Sequence, residues 1–325
     1  MSDALGKECL ESDHGRAARR PKEIPREGWR DILVRVWEKI GEDSASLIAA
    51  GIALNALLAF FPALAVTVAF YGLFSSPVAV ATEMNSFMSV LPADAARVLQ
   101  DQLQSLVSPE HTHLGVGAVF GALLAFWSAR QGMVALMTAT NIAYYQRERR
   151  SYLKQVGLSL VFTFAALVAF LIILLLGVAV PLALKVLPLG SVAAGTILVF
   201  RWVLLWSFVV VALTFVYRYA PDRKRAQWRW VTWGSAVAAT LWLIGSALFE
   251  FYLRHFNSYG LTYGALGGMI VLIVWFYLGS FAVVLGAEIN AEMEHQTAVD
   301  TTQGPAVPMG QRGAYVADTL GKARE

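Results

Sequence analysis

The sequence predicts an all-α fold: a polytopic membrane protein with six transmembrane helices. Three observations carry that expectation. Hydrophobic residues fill 57% of the 325 positions and charged residues only 15%, an apolar excess that the interior of a soluble domain does not require. The apolar residues are gathered into long runs, and the clearest, 265–287, holds no charged residue. At about 1.5 Å per residue such a run crosses a hydrocarbon core of about 30 Å. The cations alternate from one connection to the next: 21 of the 26 Lys and Arg fall in the tails and every second connection, and three in the others. That asymmetry predicts both termini on the cytoplasmic side of the membrane.

Each element has its own local reason. Residues 1–28 carry Arg16, Arg19, Arg20, Lys22 and Arg26 among small residues and prolines, and read as a disordered basic cytoplasmic tail. From Trp29, apolar residues recur at helical spacing (Ile32, Leu33, Val36, Trp37, Ile40) with Arg30, Arg35 and Lys39 on other faces. Tryptophan and basic residues together suit an amphipathic interfacial helix lying on the bilayer before the first span, with a helix packed on the protein as the alternative. Gly41 is placed to stop it and Ser44 to cap the next helix. No secretory signal peptide is expected, because the first apolar run begins only near Leu47.

The spans are expected at 47–74, 114–145, 156–184, 192–217, 230–252 and from 265 onward. Between the first two lies a polar insert, in which Ala95, Leu99, Leu103 and Leu106 form a stripe after Pro92, a short amphipathic helix in the first outer loop. Residues 29–295 thus form one six-span membrane domain, and 296–325 read as a second disordered cytoplasmic tail. Although the sequence pI is near 9.0, the basic excess follows topology rather than one face, so no nucleic-acid partner is expected. A single cysteine, Cys9, excludes an internal disulfide.

Several runs resemble the YihY/BrkB membrane-protein family, formerly mislabelled ribonuclease BN. They are Tyr217-Arg218-Tyr219-Ala220-Pro221-Asp222-Arg223-Lys224, Tyr263-Gly264-Ala265-Leu266-Gly267 with Trp275-Phe276-Tyr277, and Gly286-Ala287-Glu288-Ile289-Asn290-Ala291-Glu292. Phe61-Pro62, Trp127-Ser128, Asn141 and Arg201-Trp202 fit the same pattern. The resemblance covers about 29–295. It implies a six-span inner-membrane protein, with relatives tied to envelope integrity or serum resistance and one branch proposed to move lipid or lipopolysaccharide.

Candidate functional residues are polar groups inside apolar runs. Arg130 stands well within the second span, where a charge costs several kcal/mol unless it meets water or a partner. Asn55, Ser128, Gln131, Asn141, Glu288 and Asn290 are candidates to join it around a polar, substrate-binding cavity open to the cytoplasm. The alternative is structural, with Arg130 bound to carbonyls or to Glu288. Arg201 and Glu250, at matching outer depths, suggest an interhelical ion pair. Pro62 and Pro181 kink spans or line a path. Gly117 with Gly121, and the series Gly260, Gly264 and Gly268, mark close helix contact within a subunit or in a homo-oligomer. His111, His113 and His255 are too sparse for an expected metal site. No Walker A loop or G-x-S-x-G motif occurs, so neither an enzyme nor a cofactor is expected. The expected function is a transporter or flippase-like protein for a lipid or lipopolysaccharide-like envelope component, with membrane lipids as partners. The alternative is a non-transporting structural or regulatory envelope-integrity protein.

Overall fold

Six helices of 28 to 35 residues dominate the computed structural model, which describes residues 14–72, 116–186, 191–255 and 266–323. In chain order the helices are α1 (Arg26–Glu42), α2 (Ala45–Gly72), α3 (Val116–Ala143), α4 (Tyr152–Val186), α5 (Ser191–Tyr219), α6 (Trp228–His255), α7 (Leu266–Gln296) and the short α8 (Tyr315–Asp318). The long helices α2 to α7 coincide with the expected spans to within a few residues, apart from the end of α7. Among the described residues, Tyr152–Ile173, Gly195–Tyr219, Trp228–Leu253 and Gly267–Gln296 are each long and apolar enough to cross a membrane. The pair α1 and α2, bent by 66°, would make a fifth if taken as one broken span. The expected count of six is therefore not established by these segments.

The connections are more decisive about layout. Ala298 N–H donates to Arg16 O at 2.8 Å, so the two described chain ends lie side by side. Arg149 N–H donates to Asp222 Oδ2 at 2.7 Å, and Lys224 N–H to Gly313 O at 3.0 Å. The α3–α4 connection, the α5–α6 connection and both described ends therefore share one end of the bundle, and the chain leaves and returns there three times. The outward faces of α4, α5 and α6 expose large apolar side chains, Val161, Phe164, Trp202, Val211 and Leu248 among them, as lipid contact requires.

α7 packs against α1, α2, α3, α6 and α8. Its closest approach is to α6. A Cβ added at Gly234 would fall 2.1 Å from Gly286 O, and one added at Gly286 would fall 2.6 Å from Gly234 O. Only glycine at both positions lets these backbones meet. The crossing is pinned by Asn290, whose Oδ1 accepts from Gly234 N–H at 2.8 Å while its Nδ2 donates to Val231 O at 3.0 Å. Tyr217 on α5 adds a third helix by donating to Val283 O at 2.7 Å. Of the glycines expected at close contacts, 260 and 264 lie outside the described residues; the contact seen is between Gly234 and Gly286.

α1 turns one face to the protein, as the packed-helix alternative expects, and another outward. Ile32 and Val36 are buried with Ile24, Trp230, Ile289 and Met293, full burial of such a side chain being worth about 1.5–3 kcal/mol. A second stripe, Leu33 and Trp37, faces outward and lines an open apolar groove with Trp29 and Val34. The helix does not stop at Gly41. It ends at Glu42, and the break falls at Ser44, whose φ of 52° is left-handed. Ser44 still starts α2, because its carbonyl accepts from Leu47 and Ile48 N–H.

The expectation of disordered tails is overturned over residues 14–28 and 297–323. Thr297 donates to Ala18 O, Arg16 to Gln296 O, and Arg312 to the carbonyls of Ala298, Val307 and Ala317. Asp318 accepts from the N–H groups of Gly310, Arg312 and Gly313 and holds that turn closed. Low hydrophobicity does not mean disorder here: hydrogen bonds order the segment, together with Val316, which is buried against Tyr144 and Ala291. The amphipathic helix expected near 95–106, with His111 and His113, lies outside the described residues. α2 and α4 run on through positions 62 and 181.

Candidate functional site

The polar residues singled out from the sequence separate into two layers. The first caps the terminal end of the bundle, and Glu292 is its centre. Arg35 Nε donates to Glu292 Oε2 at 2.5 Å, and Arg35 Nη2 donates to Glu292 O and Gln296 Oε1. Tyr145 donates to Glu292 Oε1 at 2.9 Å, and His295 Nδ1 lies 3.6 Å from Oε2. With these charged and hydrogen-bonding partners, the buried carboxylate is compensated as a buried charge must be.

Around this centre the same end is stitched by further pairs. Arg223 Nη2 donates to Glu294 Oε2 at 2.6 Å, and Thr301 donates to the same oxygen. Burial alone would lower the Arg223 pKa; the Glu294 carboxylate outweighs it and the value rises. Asn141 bridges two connections: its Nδ2 donates to Glu148 Oε2 at 3.0 Å, and its Oδ1 accepts from Asp222 N–H at 2.7 Å. Arg150 clasps both oxygens of Glu148 at 2.7 Å. Burial would raise the Glu148 pKa, but the bonds from Arg150 and Asn141 outweigh it and hold the carboxylate below its usual range. Lys39 lies 3.0 Å from Glu42 and 3.8 Å from Asp43, with its ammonium 4.2 Å from the Tyr145 ring centroid.

Glu288 belongs to this layer and is almost wholly buried, with no hydrogen-bond partner for Oε2 among the described residues. No ion pair joins Glu288 to Arg130 among the described residues, and Arg130 Nε has no hydrogen-bond partner there.

Arg130 is in the second, deeper layer. It stands 13 residues before the end of α3, about 20 Å along the axis at ~1.5 Å per residue. The side chain is buried, its Nη1 donates to Gln131 Oε1 at 3.3 Å, and its guanidinium carbon sits 5.2 Å from the Trp127 ring centroid. Nε has no hydrogen-bond partner and no carboxylate pairs with it among the described residues. Asn55 shares this depth, because a Cβ at Gly132 would lie 3.4 Å from Asn55 Cβ. Its Nδ2 donates back to Gly51 O at 2.9 Å. Ser128 is half-buried and Gln131 exposed.

The structure therefore divides the seven expected cavity residues. Asn55, Ser128, Arg130 and Gln131 form the deep group. Asn141, Glu288 and Asn290 sit near the terminal end, and the amides of Asn141 and Asn290 are already committed to holding connections and helices together. Arg201 lies with its guanidinium carbon 5.2 Å from the Trp202 ring centroid on α5, and Glu250 is exposed on α6, a helix that packs against α5. Sequence reasoning missed Arg35, Tyr145, Arg223, Glu292 and Glu294 as site residues. The available signal was spacing: Arg35 follows Ile32 by three positions and precedes Val36 by one, which puts it beside the apolar face that α1 buries. Among the described residues no group of three His, Cys, Asp or Glu side chains is placed to hold a metal ion.

Comparison with known proteins places this arrangement in a family. The chain is 36% identical over 179 residues to the ribonuclease-like protein YfkH of Bacillus subtilis, covering 53% of this chain and 64% of that one. It is 26% identical over 277 residues to a UPF0761 membrane protein of Psychromonas ingrahamii, covering 81% and 87%. A UPF0761 membrane protein of Vibrio cholerae matches at 35% over 118 residues, 35% of this chain and 38% of that one. No solved structure matches. The Virulence factor BrkB family matches residues 36–309, so the chain belongs to that family of integral membrane proteins.

Proposed function

We propose that this protein is a transport-type protein, transporter or flippase-like, for a lipid or other amphipathic envelope component of the bacterial inner membrane, with both termini cytoplasmic. The observation that carries the reading is Arg130. A guanidinium about 20 Å from the helix end, without a carboxylate partner among the described residues, is expensive in a bilayer unless it serves a polar route or an anionic ligand. Asn55 at the same depth on the facing helix gives that route a second wall. No nucleotide-binding loop supports direct use of ATP, so transport would draw on a gradient or a partner. An enzymatic role has no support from the residues, and the ribonuclease-like description belongs to the Bacillus relative.

A second reading is a structural or regulatory envelope protein. It is favoured by the terminal layer, where Asn141, Asn290, Arg35 and Glu292 are spent on mutual contacts. Reconstitution into liposomes with labelled phospholipid or lipopolysaccharide separates the two. The transport reading expects movement by wild type that Arg130→Ala abolishes. Folded wild type that moves none of these substrates would leave the structural reading standing.

A further inference from the structure

We propose that the α5–α6 corner at the terminal end is a binding site for the phosphate headgroup of an anionic lipid. Three arginines flank it, Arg218, Arg225 and Arg229, and among the described residues none of them is paired with a carboxylate. Three other arginines at this end are neutralised: Arg35 by Glu292, Arg150 by Glu148 and Arg223 by Glu294. Arg218 is nine-tenths buried, donates from Nη2 to Gln303 Oε1 at 2.9 Å, and leaves Nε and Nη1 without hydrogen-bond partners. Among the described residues, Arg229 meets the neutral Gln227 side chain and no carboxylate.

Two of these cations are mounted on aromatic rings. The Arg218 guanidinium carbon lies 4.0 Å from the Trp228 ring centroid, and that of Arg225 lies 4.7 Å from the Tyr219 centroid. Phe215 stacks on Tyr219 at 5.9 Å and meets Trp228 edge-on at 5.1 Å. Cation–π stacking fixes the guanidinium planes without discharging them. The first turn of α6, which begins at Trp228, carries no acidic residue, so its positive dipole end adds to the field.

The surroundings choose the occupant. Arg225 and Arg229 are exposed, and so are Phe215, Trp228 and, one turn further into the bundle, Val211. A phosphodiester at the exposed guanidiniums would lay its acyl chain along Val211 and Phe215. Guanidinium donors above an aromatic rim and an apolar face are what an anionic phospholipid requires. This site does not depend on whether the protein moves lipid.

The test is native mass spectrometry of the full chain in detergent, titrated with phosphatidylglycerol or phosphatidylcholine. Wild type should retain phosphatidylglycerol preferentially. Arg225→Ala with Arg229→Ala, both exposed and fold-neutral, should weaken its binding about tenfold or more. Arg147→Ala with Lys154→Ala, which removes two exposed cations from the α3–α4 connection and the first turn of α4, should leave it within about twofold. Equal retention of the two lipids, or equal loss in the two double variants, would each overturn the proposal.

Discussion

Tyr145 donates its phenolic hydrogen to Glu292 Oε1 at 2.9 Å from a backbone held at φ 54°. Such a left-handed conformation is costly for an aromatic residue, typically about 1–3 kcal/mol, and persists only where the surroundings over-determine it. Here they do. Gln146 N–H donates to Asn141 O and closes the end of α3, the Tyr315 ring stacks at 5.2 Å, and the Lys39 ammonium lies 4.2 Å from the ring centroid. Tyr145 thereby joins α1, α3, α7 and α8.

Removing the hydroxyl tests that joint. Tyr145→Phe keeps the ring contacts and strips one donor from a buried carboxylate, at an expected cost of about 1–2 kcal/mol. A thermal melt in detergent should show a lowered midpoint. A midpoint equal to wild type would mean that Arg35 and His295 alone satisfy Glu292.

The helix crossing makes a sharper prediction. Gly286→Ala puts a methyl 2.6 Å from both the Gly234 carbonyl oxygen and the Tyr217 hydroxyl, so overpacking of about 1–3 kcal/mol or more is expected. Gly245→Ala, with nothing within 4 Å of the new methyl, is the control and should be neutral or slightly stabilising. Similar yields of folded protein from both variants would contradict the close crossing.

The folded tail should respond to acid. Burial would raise the Asp300 pKa, but the N–H groups of Val307 and Thr302, the Thr302 hydroxyl and Arg312 outweigh it and hold the carboxylate below its usual value. A group with a lowered folded pKa contributes stability that is present above its unfolded value, about 3.9 for Asp, and lost as pH falls through the folded value. Amide exchange over 297–323, corrected for the intrinsic rate, should therefore rise below about pH 4. In Asp300→Asn this acid-dependent rise should be reduced. An unchanged acid response in the variant would show that Asp300 does not set it.

Arg201 and Glu250 are suited to a charge-swap test. If they form an interhelical pair, Arg201→Glu and Glu250→Arg should each lower the amount of folded protein, and the double variant should recover it. A double variant no better than the worse single one would contradict the pair.

The spans were legible because lipid-facing helices write themselves as long apolar runs, and α2 to α7 fall where those runs do. The terminal layer was not legible, for a physical reason. Arg35 and Glu292 are 257 positions apart, and nothing local to either announces the other. Asn141 and Asn290 could be recognised as unusual polar groups near helix ends, but only the fold shows that both bind backbone on other elements. The tail misled in the opposite sense: its order comes from Asp300, Arg312 and Asp318 bonding to the backbone, with Gly304, Gly310 and Gly313 at positive φ, and not from apolar periodicity.

The most direct test of the polar route is water access to the deep layer around Arg130. In a Cys9→Ser background, single cysteines at Asn55 and Ser128 should react with a membrane-impermeant thiol reagent added from the side that bears the termini, and bound substrate should slow the reaction. If both cysteines stay unreactive from either side while the protein remains folded, the polar route is absent and the Arg130 side chain only holds helices together.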